Sequence, residues 1–216
     1  MTGAGAGAVI FDKDGVLLDS GAHHRDAWRQ LLADLAVEPA PEFWRRTIGR
    51  PAEEAVAQLL DRPVDAAEAA ALARRKREHY TRLAARGMLP IAGAPAFVRL
   101  LAAEGVPRAV ATSASRHDVE SLLSEIGVRV YFDVVVTADD VRRGKPDPEV
   151  YLRAAEGLGL PPERCLVFED SVVGIHAART AGMRVIGLAT AHSVRELLAA
   201  GAERAIADFE GFAWPV

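Results

Sequence analysis

The residues best suited to chemistry fall into four short clusters. Two aspartates stand two apart in Phe11-Asp12-Lys13-Asp14-Gly15. Thr112-Ser113-Ala114 supplies a hydroxyl pair. Lys145 stands in Gly144-Lys145-Pro146-Asp147-Pro148, and Glu169-Asp170-Ser171 sets two carboxylates side by side. Each has an ordinary reading by itself. Asp-Lys-Asp-Gly can be a turn, Thr112-Ser113 a helix N-cap pair, Lys145 a solvated loop lysine, and Glu169-Asp170 an acidic start to the next helix. An EF-hand loop is excluded, because setting Gly15 at its invariant glycine puts Ile10 on the first ligand position and Gly21 where a bidentate glutamate belongs. Two adjacent carboxylates after a buried apolar run are costly without a cation, which favours a metal there.

The elements that must position these clusters are legible as two textures. Short apolar runs rich in β-branched residues occur at Ala8 to Phe11, Ala109 to Thr112, Val134 to Val136, Leu166 to Phe168 and Val185 to Leu188. Continuous apolar runs suit strands buried on both faces, as in a parallel sheet. Helical patterns lie between them, at Ala94 to Ala103, Arg116 to Ile126, Pro148 to Leu158, Val172 to Ala181 and Val194 to Ala200. Gly105, Gly127, Gly159, Gly182 and Gly201 follow them, where C-caps are expected. The alternation predicts a doubly wound, Rossmann-like α/β sheet over residues 1–17 and 88–216. Residues 18–87 break the rhythm. They carry helical faces at Trp28, Leu31, Leu32 and Leu35, at Val56, Leu59 and Leu60, and from Ala66 to Leu83, and are expected to form an all-helical cap inserted after the first strand. Ligands of doubly wound sheets sit at the carboxyl ends of the strands, where three of the polar clusters fall, with the Lys145 cluster between the third and fourth strands on the same sheet edge. Gly3, Gly5 and Gly7 precede the first strand instead of succeeding it, so they read as a disordered leader and not as a dinucleotide loop.

With its clusters in this order, the sequence resembles the haloacid dehalogenase-like phosphatase superfamily. Phe11 to Ser20, Gly144 to Tyr151 and Val167 to Gly174 look closest to the branch of β-phosphoglucomutase and small sugar-phosphate phosphatases. The resemblance implies a Mg²⁺-dependent enzyme acting on a small phosphorylated metabolite, a sugar phosphate being the expected class. Asp12 would attack phosphorus and form an aspartyl phosphate. Asp14 would protonate the leaving oxygen and then activate the acceptor. Lys145 would balance charge, and Thr112 with Ser113 and Ala114 would hold a phosphoryl oxygen. The ligands of Mg²⁺ would be Asp12, Asp170, the main-chain carbonyl of Asp14, and Glu169.

In the cap, the resemblance points to His24, Arg50 and Lys76 as substrate contacts. Ala52 stands where the mutase has an arginine that grips a second phosphate, so hydrolysis is favoured over the mutase alternative. A non-catalytic binding protein is the remaining rival, and dehalogenation is disfavoured by Asp14 and the downstream acidic pair. Lys13, where an apolar residue is common, is expected to send its head to solvent or the cap. Runs of like charge on a helix are usually solvated, and Arg74 to Arg77 are expected to be partly so.

Composition narrows the setting. The chain has 216 residues, half of them apolar, with a net charge of -4, which offers no footing for nucleic acid or an anionic membrane. Cys165, the single cysteine, fits a packing role and a reducing cytosol. There is no run long enough to span a bilayer and no signal-peptide pattern, so the expectation is a cytoplasmic protein, monomeric by preference. The histidines show no metal-ligand spacing.

Overall fold

The computed structural model of the chain describes residues 7–41, 43–60 and 62–215; Gly3 and Gly5 of the leader lie outside the described residues. The chain divides into two compact units, Ser20–Met88 and the sequence on either side of it.

The elements of Ser20–Met88 are helical: α1 (Gly21–Asp34), α2 (Ala52–Leu60) and α3 (Ala66–Ala84). Apolar residues at helical spacing bring Trp28, Leu31 and Leu32 of α1 against Ala55 and Val56 of α2 and Leu72 of α3, with Phe43 from the intervening turn. The Asp65 carboxylate starts α3 by accepting a hydrogen bond from the Glu68 N–H at 2.8 Å.

The other unit is built on six parallel strands: β1 (Ala8–Phe11), β2 (Arg108–Ala111), β3 (Val134–Val136), β4 (Cys165–Glu169), β5 (Arg184–Leu188) and β6 (Arg204–Ile206). Their spatial order is β3-β2-β1-β4-β5-β6. Ile10 of β1 lies opposite Ala109 of β2 and Val167 of β4. Successive side chains point to opposite faces, and both faces are covered. Ala8, Ile10, Cys165 and Val167 join one core with α6 (Glu149–Gly157), α7 (Val172–Thr180) and α8 (Val194–Ala199). Val9, Phe11, Leu166 and Phe168 join the other with α4 (Ala94–Ala103) and α5 (Arg116–Glu125). Coverage on both sides is why the strands read as unbroken apolar runs. The five glycines expected as helix C-caps all have positive φ.

The doubly wound α/β fold read from the sequence is therefore observed, with additional helical segments between β1 and β2. β6 is not legible in the sequence: Arg204-Ala205-Ile206 is a short edge strand whose residues are exposed or half-buried, so it has no apolar run. Among the described residues, no helix is long and apolar enough to cross a membrane.

The topology decides where a ligand can sit. From β1 the chain builds β2 and β3 on one side, then crosses to β4 on the other. The carboxyl ends of β1 and β4 flank this switch point. Phe11 and Phe168 stack across the two strands at 5.3 Å, and Phe97, Phe132 and Phe209 pack around Phe11, giving the strand ends a rigid aromatic base.

Candidate active site

Asp12 is the first residue beyond β1, and its N–H continues the pairing with β4 by donating to the Phe168 carbonyl at 3.0 Å. Its carboxylate is buried. The Lys145 Nζ donates to Asp12 Oδ1 at 2.9 Å and to Glu169 Oε1 at 3.0 Å, so one buried ammonium bridges the ends of β1 and β4. The same ammonium lies 4.9 Å from the ring centroid of Tyr151 on α6.

Glu169 is held in place by Ser171. Its Oε2 accepts from the Ser171 N–H at 2.8 Å and its Oε1 from the Ser171 hydroxyl at 3.0 Å. The Ser171 Oγ in turn accepts from the Gly174 N–H at 3.0 Å, capping α7. The cap is thus Ser171, not the Glu169-Asp170 pair. Gly174 is required by space, because a Cβ there would overlap the Glu169 carboxylate. Asp170 is braced from the turn after β5: the Thr190 hydroxyl donates to the Gly15 carbonyl at 2.7 Å and lies 3.2 Å from Asp170 Oδ2. His192 Nδ1 lies 3.1 Å from the Asp170 carbonyl. A Cβ on Gly15 would overlap the Asp170 carboxylate, and the backbone there has φ of +70°.

Carboxylate oxygens of Asp12, Glu169 and Asp170 lie within 4.8 Å of one another, all buried. Burial raises Asp12 to about 6; Lys145 opposes this, while Glu169 and Asp14 add to it. Burial also pushes Asp170 well above the usual carboxylate range, helped by Glu169, Asp12 and Asp14. Burial would pull Lys145 down, but Asp12 and Glu169 outweigh it and hold the amine well above the usual lysine range. One ammonium does not neutralise three carboxylates in a dry site, and the donor set is all oxygen. These residues fit a hard divalent cation such as Mg²⁺. The Asp14 carboxylate is not part of this cluster; it is partly exposed, with Lys13 Nζ at 3.1 Å from its Oδ1. For Lys13 the solvent half of the sequence expectation is overturned. Its side chain does not reach solvent and is fully buried.

Strand β2 ends beside β1, with Val110 opposite Phe11. Thr112 comes next, buried, with its N–H on the Val136 carbonyl at 3.0 Å and its Oγ1 accepting from the Ala114 N–H at 3.2 Å. Ser113 and Ala114 are partly exposed. The N-cap reading of Thr112-Ser113 fails, because Ser115 caps α5. The neighbouring turn pins this loop: the Ala138 N–H donates to the Ala114 carbonyl at 3.0 Å and the Asp139 carboxylate accepts from the Arg116 N–H at 2.8 Å.

Residues 6–182 match the haloacid dehalogenase-like hydrolase family. The chain belongs to that family. It is 36% identical to validoxylamine A 7'-phosphate phosphatase of Streptomyces hygroscopicus subsp. limoneus, over 96% of each chain. It is 35% identical to fructose-1-phosphate phosphatase YqaB of Escherichia coli, over 82% of this chain and 94% of the relative. The crystal structure of CbbY from Rhodobacter sphaeroides in complex with phosphate superposes with a TM-score of 0.81 at 30% identity, covering 94% of this chain and 95% of that one. As a haloacid dehalogenase-like protein built around this carboxylate cluster, the chain is a phosphoryl-transfer enzyme.

The helical unit brings two of the three candidate substrate contacts together. Lys76 Nζ on α3 lies 2.7 Å from His24 Nδ1 on α1, and the amine sits over the rings of Trp28 and Tyr80 at 5.4 and 5.1 Å. Arg50 lies in the turn before α2, its N–H on the Thr47 carbonyl. Arg74 and Arg77 are exposed, whereas Arg75 reaches Asp34. Tyr151, Thr190 and His192 are site residues that the sequence does not reveal. Tyr151 is readable only as the last residue of the lysine stretch, and Thr190 and His192 lie beyond β5 with no motif to mark them.

Proposed function

We propose that this haloacid dehalogenase-like enzyme is a Mg²⁺-dependent phosphatase of a small phosphorylated metabolite, with a sugar phosphate as the substrate class, acting through an aspartyl phosphate on Asp12. The observation that carries the reading is the Lys145 bridge between Asp12 and Glu169 inside a buried three-carboxylate cluster. A phosphate monoester and a carboxylate nucleophile are both anions, so attack needs fixed positive charge at the site. Lys145 supplies one such charge. Mg²⁺ held by Asp12, Asp170, Glu169 and the Asp14 carbonyl would supply the rest, as a Lewis acid toward the phosphoryl oxygens.

The Asp12 carboxylate attacks phosphorus while Asp14 gives its proton to the leaving oxygen. Asp14 then takes a proton from water, which attacks the aspartyl phosphate and releases inorganic phosphate. The Thr112 hydroxyl and the Ser113 N–H hold a phosphoryl oxygen during transfer, and the Ala114 N–H joins them on leaving Thr112 Oγ1. Ser20–Met88 is the cap, with His24, Arg50 and Lys76 as its substrate contacts. The relatives named for validoxylamine A 7'-phosphate and fructose 1-phosphate support a polyhydroxylated substrate.

The His24–Lys76 contact favours one second reading, a β-phosphoglucomutase, which passes the phosphoryl group to a sugar hydroxyl instead of water. A panel of phosphate esters with a phosphate-release readout, run with Mg²⁺ and with EDTA, tests the first reading. Mg²⁺-dependent phosphate release supports it. Conversion of β-glucose 1-phosphate to glucose 6-phosphate without net phosphate release would replace it by the second.

A further inference from the structure

The basic run of α3 serves neither the carboxylate cluster nor, Lys76 apart, the proposed substrate contacts. The helix has two faces. Leu72, Lys76, His79 and Tyr80 are buried. Arg74, Arg77, Glu78, Thr81 and Arg82 recur at the spacing of the opposite face and are exposed. These five line an open concavity of about 460 Å³, a volume that suits a small molecule. Among the described residues, no carboxylate lies within ion-pair distance of Arg74, Arg77 or Arg82, Glu78 included. Arg82 is nevertheless held. Its guanidinium lies 2.6 Å from His79 Nδ1, and His79 Nε2 lies 2.8 Å from Asp34 Oδ2 at the end of α1. A guanidinium only donates, so Nδ1 is the acceptor and the Nε2–H donates to Asp34. A buried histidine, itself fixed by a carboxylate, thus orders one guanidinium of the lining. With three guanidinium groups and one carboxylate, the lining carries two positive charges in excess.

We propose that this face of α3 is a binding site for a phosphate dianion, formed without any residue of the carboxylate cluster. Guanidinium forks match phosphate oxygens two donors at a time. The Thr81 hydroxyl adds a donor, and the charge excess equals that of the dianion. Glu78 accepts from hydroxyls of an ester and repels a longer polyanion such as nucleic acid. The lining residues have no part in the proposed reaction, so the site stands whether or not Asp12 is the nucleophile. The dianion comes either as inorganic phosphate or as a phosphorylated polyol.

The test is an NMR titration of the full chain with inorganic phosphate or glucose 6-phosphate, following the amide signals of Thr81 and Arg82. EDTA is present throughout, because without a cation the buried carboxylates of Asp12, Glu169 and Asp170 oppose an anion at the strand ends. Ionic strength is held constant. Saturable shifts are expected at Thr81 and Arg82. Arg74→Gln and Arg77→Gln, which break no ion pair, should each raise Kd about tenfold, as loss of a charged hydrogen bond does. Arg99→Gln on α4, an equal change of charge, and Thr112→Val after β2 should each alter Kd by less than about twofold. An equal or tighter Kd for inorganic phosphate supports a site for the phosphate group alone. Tighter glucose 6-phosphate, weakened by Glu78→Gln, supports a site for the ester. Shifts that do not saturate overturn the proposal, as does wild-type affinity in both arginine variants. So does weakening by Arg99→Gln as large as by Arg77→Gln, or loss of binding in Thr112→Val.

Discussion

Removing the cation should leave the protein with a pH-dependent defect that traces to Asp12. The Asp12 carboxyl moves from an ordinary 3.8 to about 6 in the folded chain, with burial as the main cause. The native state therefore holds this proton more tightly than the unfolded state. Between those values the native state binds more protons, and stability falls as pH rises. The contribution is intact below pH 3.8 and lost above about 6, and the gap is worth ~3 kcal/mol at most. Asp12→Asn removes the titration and keeps an oxygen to accept from Lys145. In EDTA, the melting temperature of Asp12→Asn minus that of wild type should be small at pH 4 and grow to about 6–12 °C by pH 7, at ~2–4 °C per kcal/mol for a chain of this size. Carboxylates held down by partners, such as Glu120 and Asp140, titrate alike in both proteins and cancel. Adding Mg²⁺ should stabilise wild type more than the variant and close the gap. A difference that is constant from pH 4 to 7, or a gap unaffected by Mg²⁺, would refute the reasoning.

Two further substitutions test the supports of the cluster. Thr190→Val removes the hydroxyl that braces the Gly15 carbonyl beside Asp170, and should raise the Mg²⁺ concentration at half-saturation about tenfold, measured both by activity and by Mg²⁺-dependent melting. An unchanged half-saturation in both assays would show that the brace does not act on the ion. Gly174→Ala forces Glu169 away from Lys145, with a stability cost of about 1–3 kcal/mol from crowding and at least a tenfold loss in kcat; wild-type turnover at unchanged stability would contradict that placement.

Some of this is legible in the sequence and the rest is hidden, for identifiable reasons. β1, β2, β3, β4 and β5 are covered on both faces, so their apolar runs stand out, whereas β6 is a short edge strand with no buried residue to mark it. Residue types and strand ends point to Asp12, Lys145, Glu169 and Asp170, and the structure brings these four together. Their pairing is not readable, because the bridge of Lys145 to both Asp12 and Glu169 depends on which strands are neighbours. Helix caps mislead twice. Thr112-Ser113 and Glu169-Asp170 each lie just before the serine that does the capping, Ser115 and Ser171. Lys13 runs against the expectation of a solvent-exposed head, because a charged side chain in a loop normally reaches water and this one is fully buried beside Asp14. Thr190 and His192 come to Asp170 only because β5 pairs with β4, a relation that no local pattern records.

The most direct test of the central claim is to trap the phosphoenzyme. Rapid acid quench of the enzyme with a turned-over phosphate ester, then peptide mass spectrometry, should find one phosphoryl group on Asp12 and none in Asp12→Asn, which should also have no turnover. A phosphoryl group on another residue, or turnover retained by Asp12→Asn, would contradict the account.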